Sequence, residues 1–226
     1  MEEARPGDTP RYRELRRRMV EKQIQKRGVR DPKILHAFLN VPRHLFIEEA
    51  LRDRAYGDYP LPIGDGQTIS QPYTVAVMTD ALKLEGDEKV LEVGSGSGYQ
   101  SAVLLEIVPQ VFAVERISSI ARKAQKRLES MGYTGFVMRS GDGTKGWAEF
   151  APYDAILVAA ASPSVPRSLK AQLTVGGRLV IPVGDRYVQD MIRVTRLAEE
   201  KYEEENLGSF RFVGLIGAEG WREGEM

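Results

Sequence analysis

The sequence predicts an α/β protein: a seven-stranded, mostly parallel, doubly wound sheet with an antiparallel edge, preceded by an N-terminal helical extension. From about residue 89 to residue 173, short β-branched and apolar runs alternate with helix-length segments, which is typical of a parallel sheet covered by helices. Beyond that point, strand-like segments follow one another directly and predict antiparallel pairing at one edge. We therefore expect a helical cap, residues 1–85, packed on the same domain as a core, residues 86–226.

The cap is predicted to hold four helices and one irregular segment. Spaced apolar residues place the helices at Tyr12–Arg27, Lys33–Leu39, 46–54 and Pro72–Leu82. Gly28 is suited to end the first helix, and Asp31 followed by Pro32 is suited to begin the second. The segment Tyr56–Gly66 is rich in proline and glycine and shows no period, so we predict irregular structure there.

The core is predicted to hold seven strands and three connecting helices. The strands are placed at Lys89–Val93, Gln110–Val114, Phe136–Arg139, Tyr153–Val158, 177–183, Asp190–Arg196 and Phe210–Ile216. The helices are placed at Gln100–Glu106, Ser118–Met131 and Val165–Leu173. The acidic run Glu199–Glu205 is predicted to be a solvated turn or edge.

A glycine-rich turn separates the first core strand from the first core helix. It reads Gly94-Ser95-Gly96-Ser97-Gly98, and glycines let a backbone bend sharply and approach a ligand closely beside the free N–H groups of a helix N-terminus. Tyr99 stands where a dinucleotide-binding loop has its third glycine, and no Lys-Ser/Thr pair follows, so neither a dinucleotide nor a triphosphate is indicated. Glu115 ends the next strand, where a carboxylate can accept two hydrogen bonds from a ribose diol. The pattern predicts an adenosine-type site with little provision for phosphate.

Two further groups of polar residues have alternative interpretations. Thr68, Ser70 and Gln71 precede the helix Pro72–Leu82. They either cap that helix or leave its N–H groups free to bind an anion, and residue chemistry favours neither. Asp142 follows the third core strand, where an acid could accept from an adenine amino group; an Asp-Gly turn is the weaker alternative.

His44 and the run Arg16–Arg18 could also be functional, as a catalytic base and as a contact to a phosphate backbone. A single histidine between apolar neighbours is more often structural, and a basic run on a helix is more often a solvated face. We favour the structural interpretation for both.

The composition disfavours several classes of protein. Lys and Arg number 32, as do Asp and Glu, so the formal charge is zero and does not indicate a nucleic-acid or anionic-membrane binder. Without cysteine, and with two histidines, disulfides and thiolate sites are excluded and a histidine-rich metal site is disfavoured. No apolar stretch is long enough to span a bilayer, and the charged start does not resemble a signal peptide. We expect a cytoplasmic monomer that uses no metal and binds neither nucleic acid nor membrane.

Several motifs resemble those of a known enzyme family. The glycine loop with Glu92 and Glu115 is similar to that of class I S-adenosylmethionine-dependent methyltransferases, which have a Rossmann-like fold. More specifically, the stretches at Met19–Pro32, Val41–Phe46, Gln67–Tyr73 and Val90–Gln100 resemble the protein-L-isoaspartate (D-aspartate) O-methyltransferases, which act in protein repair. The Thr-Ile-Ser-Gln-Pro segment is the most specific of these.

This resemblance implies a function and a set of site residues. Ser70 would be the catalytic residue, contacting the isoaspartyl carboxylate of a damaged protein, with D-aspartyl residues left open as a second acceptor. S-adenosylmethionine, which leaves as S-adenosylhomocysteine, would be held by Thr68, Glu92, Gly94, Ser95, Gly96, Gly98, Glu115, Ile117, Gly141, Asp142 and Gly143. The peptide would be held by Ile69, Gln71, Val213 and Leu215.

One position departs from the family pattern, and one alternative function remains. The family motif Phe-Val-Pro-Leu reads Phe212-Val213-Gly214-Leu215 here, which leaves the shape of the peptide groove open. The alternative is a methyltransferase that acts on RNA or a small molecule. The neutral charge and the absence of an Asn/Asp-Pro-Pro-Tyr motif count against it.

Overall fold

The computed structural model describes residues 7–225 and has nine strands and six α-helices within that range. The α-helices are α1 (Pro10–Met19), α2 (Pro32–Asn40), α3 (Pro72–Ala81), α4 (Tyr99–Leu105), α5 (Ser118–Ser130) and α6 (Arg167–Ala171). The strands are β1 (Leu61–Gly64), β2 (Gln67–Ile69), β3 (Lys89–Val93), β4 (Gln110–Glu115), β5 (Phe136–Ser140), β6 (Tyr153–Val158), β7 (Leu173–Gly184), β8 (Gln189–Ala198) and β9 (Lys201–Phe210).

Seven strands form one sheet in the order β5-β4-β3-β6-β7-β8-β9. Strands β3 to β7 are parallel, β8 is antiparallel to β7, and β9 is antiparallel to β8. Alternate residues of β3 enter separate apolar clusters, Leu91 and Val93 in one and Val90 in the other, because successive strand side chains point to opposite faces. The predicted fold class is confirmed.

The carboxyl ends of the central strands meet at one point. Val93 at the end of β3 is in register with Val114 of β4 and with Val158 of β6. The chain winds to one side of β3 through β4 and β5, and to the other side through β6 and β7. Ligands of open α/β sheets bind outside the carboxyl ends of the strands at such a switch point, so this is where a site is expected.

The first predicted helix, Tyr12–Arg27, is divided into three segments. α1 is followed by a π-helical turn, Val20–Ile24, and a 3₁₀ turn, Gln25–Arg27, and the helix ends at Gly28 with a φ of 108°. π-helical turns are rare and occur frequently at functional sites. Here the turn precedes Arg27, which reaches Asp58 beside the N-terminus of α3.

The prediction of irregular structure at Tyr56–Gly66 is wrong in its second half. β1 and β2 form an antiparallel hairpin in which Leu61 faces Ile69. The turn contains Asp65 and Gly66, both with positive φ, and an Asp-Gly pair is a strong hairpin signal. The proline and glycine content of the segment obscured it.

The predicted last strand starts nine residues too late and ends six residues too late. The prediction was Phe210–Ile216, whereas β9 spans Lys201–Phe210 and contains most of the acidic run. β9 lies at the sheet edge and is largely exposed, so its side chains need not alternate between apolar and polar. Residues 211–216 instead cross the carboxyl end of the sheet.

The cap packs directly on the core. One apolar cluster joins Ile24 and Phe38 of the cap to Tyr99 and Val103 of α4 and Leu128 of α5. Across residues 7–225, none of the helices combines the length and the apolarity that crossing a bilayer requires.

Candidate active site

A pocket of about 410 Å³ opens at the carboxyl ends of β3, β4 and β6, and we call it the glycine-loop pocket. The predicted residues that line it are Thr68, Gly94, Gly96, Glu115, Ile117, Gly143, Val213 and Leu215. Further lining residues, which sequence reasoning did not identify, include Gln67, Arg116 and Glu223. Small-molecule sites typically occupy about 300–1,000 Å³, so the volume suits a nucleoside-sized ligand.

Glu115 braces the glycine loop and borders the pocket. Its Oε2 accepts from the Gly96 N–H at 3.0 Å and its Oε1 accepts from the Ile117 N–H at 2.9 Å. Each carboxylate oxygen has a further lone pair to offer. The side chain can therefore hold the loop and still accept from a ligand diol.

The three loop glycines have different surroundings. Gly94 and Gly96 have φ values of 83° and 52° and border the pocket, so the backbone itself forms the wall. Gly98 does not border the pocket. A Cβ at Gly98 would lie 3.4 Å from Ala124, so this position serves the packing of α4 on α5.

Glu92 lies beneath the loop and outside the pocket lining. It is fully buried, and Ser101 donates to one of its carboxylate oxygens while the other has no partner within the described residues. Burial raises the pKa of Glu92 to about 7, although the hydrogen bond from Ser101 acts in the opposite direction. At neutral pH this carboxyl is therefore partly protonated.

Glu92→Gln is expected to stabilise the protein at pH 8 and to have little effect at pH 5. The folded state keeps its proton up to about pH 7, whereas the unfolded chain loses it near pH 4.5. The contribution of the protonated Glu92 carboxyl to the free energy of unfolding is thus fully present below pH 4.5. It is lost as the pH rises through 7, which lowers the free energy of unfolding by about 3 kcal/mol. Glutamine is neutral at every pH and avoids this loss. Melting temperatures measured from pH 4 to 9 check it, and parallel curves for the two proteins would contradict it.

A second pocket, of about 620 Å³, lies beside α3, and we call it the α3 pocket. Its lining includes Ser70, Gln71, Tyr73 and Thr74 from the start of α3, together with Arg27, Pro60 and residues 209–213. Ser70 is half-buried, and its hydroxyl makes no hydrogen bond to any other group in residues 7–225. This hydroxyl is therefore available to a ligand.

The two pockets adjoin. Thr68, Ala159 and Val213 line both of them. A ligand in one pocket and a ligand in the other would meet at this shared wall, and Ser70, two residues after Thr68, lines the α3 pocket. The arrangement suits the transfer of a small group between two bound molecules.

The structure excludes one of the two interpretations of the segment before α3, namely that its side chains cap the helix. Ser70 does not cap the helix, because the N-cap residue is Gln71, and the Gln71 side chain makes no capping hydrogen bond. Asp58 occupies the end instead, because its Oδ1 accepts from the Tyr73 N–H at 3.2 Å while its Oδ2 pairs with Arg27 at 2.5 Å. That N–H group is consequently engaged, while the Ser70 hydroxyl and the side chains of Thr68 and Gln71 make no hydrogen bond within residues 7–225.

Five predicted site residues other than Glu92 do not line either pocket. They are Ile69, Ser95, Gly98, Gly141 and Asp142. Ile69 is buried in the cap cluster. The carboxylate of Asp142 accepts from the hydroxyl and N–H of Thr144 at 2.6 and 2.9 Å, and from the Ala218 N–H at 2.9 Å.

The C-terminal tail, to which the sequence analysis assigned no role, lies along the glycine-loop pocket. Asp142 and Thr144 anchor it by accepting from the N–H groups of Ala218 and Glu219. Glu223 then borders the pocket and pairs with Arg116 at 3.6 Å. Long-range contacts of this kind leave no local signal in the sequence.

Gly214 lies in a segment that is held at both sides. The Ala161 N–H donates to the Val213 carbonyl at 2.8 Å, and the Leu215 N–H donates to the Ala161 carbonyl at 2.7 Å. The main chain beside the shared wall is thus fixed to the end of β6 although proline is absent.

His44 and the basic run have structural roles. His44 is buried outside both pockets, its Nδ1 lies 2.7 Å from the Tyr56 hydroxyl, and its Nε2 lies 3.1 Å from the Gly7 carbonyl. Burial lowers its pKa. Arg16 pairs with Asp8, while Arg17 and Arg18 pair with acids on their own helix.

The fold and the adjoining pockets suit a Rossmann-like enzyme that transfers a small group between two bound molecules. The chain belongs to the protein-L-isoaspartate(D-aspartate) O-methyltransferase (PCMT) family, whose model matches residues 14–220. The family, the fold class and the enzyme class predicted from the sequence are thereby confirmed. Within residues 7–225 there is no group of three or more His, Asp or Glu side chains placed to hold a metal ion.

Curated relatives and solved structures are similar over most of the chain. The protein-L-isoaspartate O-methyltransferase of Syntrophus aciditrophicus is 58% identical, in an alignment that covers 93% of this chain and 98% of the relative. That of Rhodopseudomonas palustris is 54% identical, with coverage of 92% of this chain and 95% of the relative. A solved protein-L-isoaspartate O-methyltransferase is 29% identical with a TM-score of 0.83, covering 92% of this chain and 67% of the other. A Plasmodium falciparum structure, in complex with S-adenosyl-L-homocysteine, has the same fold at 23% identity, with a TM-score of 0.77 and coverage of 89% and 98%.

Proposed function

We propose that this protein transfers the methyl group of S-adenosylmethionine to the free α-carboxylate of L-isoaspartyl residues in damaged proteins. The observation that carries the proposal is the pair of adjoining pockets that share Thr68, Ala159 and Val213, with the Ser70 hydroxyl beside them. Family membership supports the choice of acceptor.

The glycine-loop pocket is the proposed cofactor site. Gly94 and Gly96 offer a close backbone wall, and Glu115 offers acceptor sites for the ribose diol. Glu92 does not line this pocket; its partly protonated carboxyl accepts from Ser101 and so joins β3 to α4 on the two sides of the loop. When bound, the cofactor supplies an electrophilic methyl group on a sulfonium centre.

The α3 pocket is the proposed acceptor site. A carboxylate has an ordinary pKa near 4 and is ionised at neutral pH, so it needs no general base. Its oxygen bonds to the methyl carbon while the sulfur–carbon pair returns to sulfur, and no proton moves. The protein's task is to orient the two reactants and exclude water, and good orientation contributes up to about 7–11 kcal/mol. Ser70 orients the carboxylate by donating one hydrogen bond, which need not be strong because the charge is lost in the ester.

The product determines the repair outcome. The methyl ester is a better electrophile than the carboxylate, so the following backbone nitrogen displaces methanol and closes a succinimide. Water then opens the succinimide, in part to normal aspartate.

The direct test uses two peptides that differ in one linkage. Labelled methyl is offered from S-adenosylmethionine to an isoaspartyl peptide, to its normal aspartyl counterpart and to RNA. Base-labile label on the isoaspartyl peptide alone is expected. Label on RNA would favour the alternative function, and no label on the peptides despite cofactor binding would contradict the proposal.

Arg211→Glu is expected to raise KM for an isoaspartyl peptide about three- to tenfold and to leave kcat within about twofold. Arg211 borders the α3 pocket and is exposed; its Nε donates to the Tyr187 carbonyl, while its terminal nitrogens have no partner in residues 7–225. A cation at a pocket mouth attracts an anionic ligand, and the effect weakens with salt. Steady-state kinetics at low and high salt measure it.

The matched control for this charge change is Arg122→Glu, on the exposed face of α5. It alters the net charge equally at a position outside both pockets. An equal rise in KM for both variants would show that net charge, rather than the rim of the α3 pocket, is responsible.

A further inference from the structure

Arg43 is a fully buried arginine that the proposed mechanism does not use. It begins the 3₁₀ turn Arg43–Phe46 and has no solvent exposure. Its Nε donates to the Ala55 carbonyl at 2.8 Å, and its Nη2 donates to the Ser70 carbonyl at 2.8 Å. Its guanidinium lies 4.8 Å from the centre of the Tyr99 ring.

This arginine is poorly compensated for a buried charge. No carboxylate lies within ion-pair distance of it in residues 7–225, and its Nη1 makes no hydrogen bond of regular geometry there. Burial lowers the pKa of Arg43, although the Tyr99 hydroxyl and the charge of Asp58 offset part of the cost of that burial. By contrast, Arg16, which is also buried, makes two hydrogen bonds to the Asp8 carboxylate. A buried charge without a counter-ion is costly, and an apolar side chain of similar volume is often as stable. Packing alone therefore does not account for an arginine at position 43.

The contacts of Arg43 join the two halves of the site. Ser70 lines the α3 pocket, and Tyr99 directly follows the last glycine of the loop. The Ser70 carbonyl lies between the end of β2 at Ile69 and the start of α3 at Pro72. Within the described chain, the one hydrogen bond that it accepts comes from Arg43.

We propose that Arg43 is a positioning residue for methyl transfer. It holds the Ser70 main chain at a fixed place relative to Tyr99 and the glycine loop, and so holds the Ser70 hydroxyl at the wall that the pockets share. The inference rests on the proposed function. Because a misplacement of about 1 Å can cost about 100-fold in rate, loss of this bond should affect methyl transfer more than cofactor binding.

The test is Arg43→Met, which removes the charge and the donors but keeps an extended side chain. We expect kcat/KM for an isoaspartyl peptide to fall about tenfold, with the calorimetric Kd for S-adenosylhomocysteine within about threefold. Arg196→Met is the matched control: Arg196, on β8, also donates to a main-chain carbonyl, that of Leu173 at 2.6 Å, and also has one guanidinium nitrogen without a partner in residues 7–225, but it lines neither pocket. Its kcat/KM should stay within about twofold of the wild type.

A double-mutant cycle separates positioning from a general loss of structure. In a Ser70→Ala background the hydroxyl is already gone, so Arg43→Met should lower kcat/KM by no more than about twofold. An equal factor in both backgrounds would overturn the proposal, as would unchanged kinetics in the single variant. If the methionine variant melts below the assay temperature even with S-adenosylhomocysteine, the same cycle is run at a lower temperature at which that variant is folded, and the same two outcomes overturn the proposal. A wild-type protein inactive on isoaspartyl peptide would instead refute the proposed function.

Discussion

Replacing Ser70 with alanine is expected to lower kcat/KM for an isoaspartyl peptide about 10- to 100-fold while leaving the affinity for S-adenosylmethionine within about twofold. The Ser70 hydroxyl lines the α3 pocket but not the glycine-loop pocket. A hydrogen bond to a charged group contributes about 1.5–3 kcal/mol, and here it also orients the attacking oxygen. Methyl incorporation under steady-state conditions and calorimetry of the cofactor together measure the two quantities.

Two comparisons make this result specific. Ser164→Ala removes a hydroxyl from an exposed serine outside both pockets and should change neither quantity. Ser70→Thr keeps the hydroxyl and should retain more activity than alanine. If Ser70→Ala transferred methyl at the wild-type rate, the assignment of Ser70 to the acceptor site would be wrong.

The parts of the site that sequence reasoning located are those with a local signal. The glycine loop and Glu115 were identified because a strand, a turn and a helix follow one another within a short stretch, and each has its own pattern of residues. The structure places Gly94, Gly96 and Glu115 around one pocket. The roles of these residues in binding remain predictions.

The parts that were missed depend on contacts between distant segments. Arg27 enters the α3 pocket after a π-helical turn that periodicity does not reveal. Glu223 reaches the glycine-loop pocket because Asp142 and Thr144 anchor the tail. Nothing near Asp142 in the sequence distinguishes an acid that accepts from an adenine from one that accepts from a backbone N–H 76 residues away.

The strands also divide into those with a local signal in the sequence and one, β9, without it. The central parallel strands β3, β4 and β6 are buried on both faces and read as continuous apolar runs, so they were predicted closely. β9 has one partner strand and is largely exposed, so its acidic side chains gave no strand signal. The error moved the seventh strand onto residues 211–216, whose apolar character reflects their place across the carboxyl end of the sheet.

Glu115→Ala is expected to weaken S-adenosylmethionine binding about 100-fold. The ribose diol loses both of its proposed acceptors, and at the lower end of about 1.5–3 kcal/mol for each hydrogen bond to a charged group this loss corresponds to about 100-fold. The Gly96 and Ile117 N–H groups lose their partner as well, so the loop is less well ordered before the ligand arrives. Glu115→Gln keeps one acceptor oxygen, and its affinity for S-adenosylmethionine should lie between those of the wild type and of Glu115→Ala. Calorimetric dissociation constants measure the series.

The outcome must be separated from a loss of stability, because Glu115 is buried and braces the loop. Glu129→Ala removes an exposed carboxylate from α5 and should bind the cofactor as the wild type does. A folded Glu115→Ala protein with an unchanged dissociation constant would show that the carboxylate serves the loop alone. The ribose would then have to be held by another group at the pocket, and Glu223, which reaches the same pocket from the tail, is the acid that the structure places there.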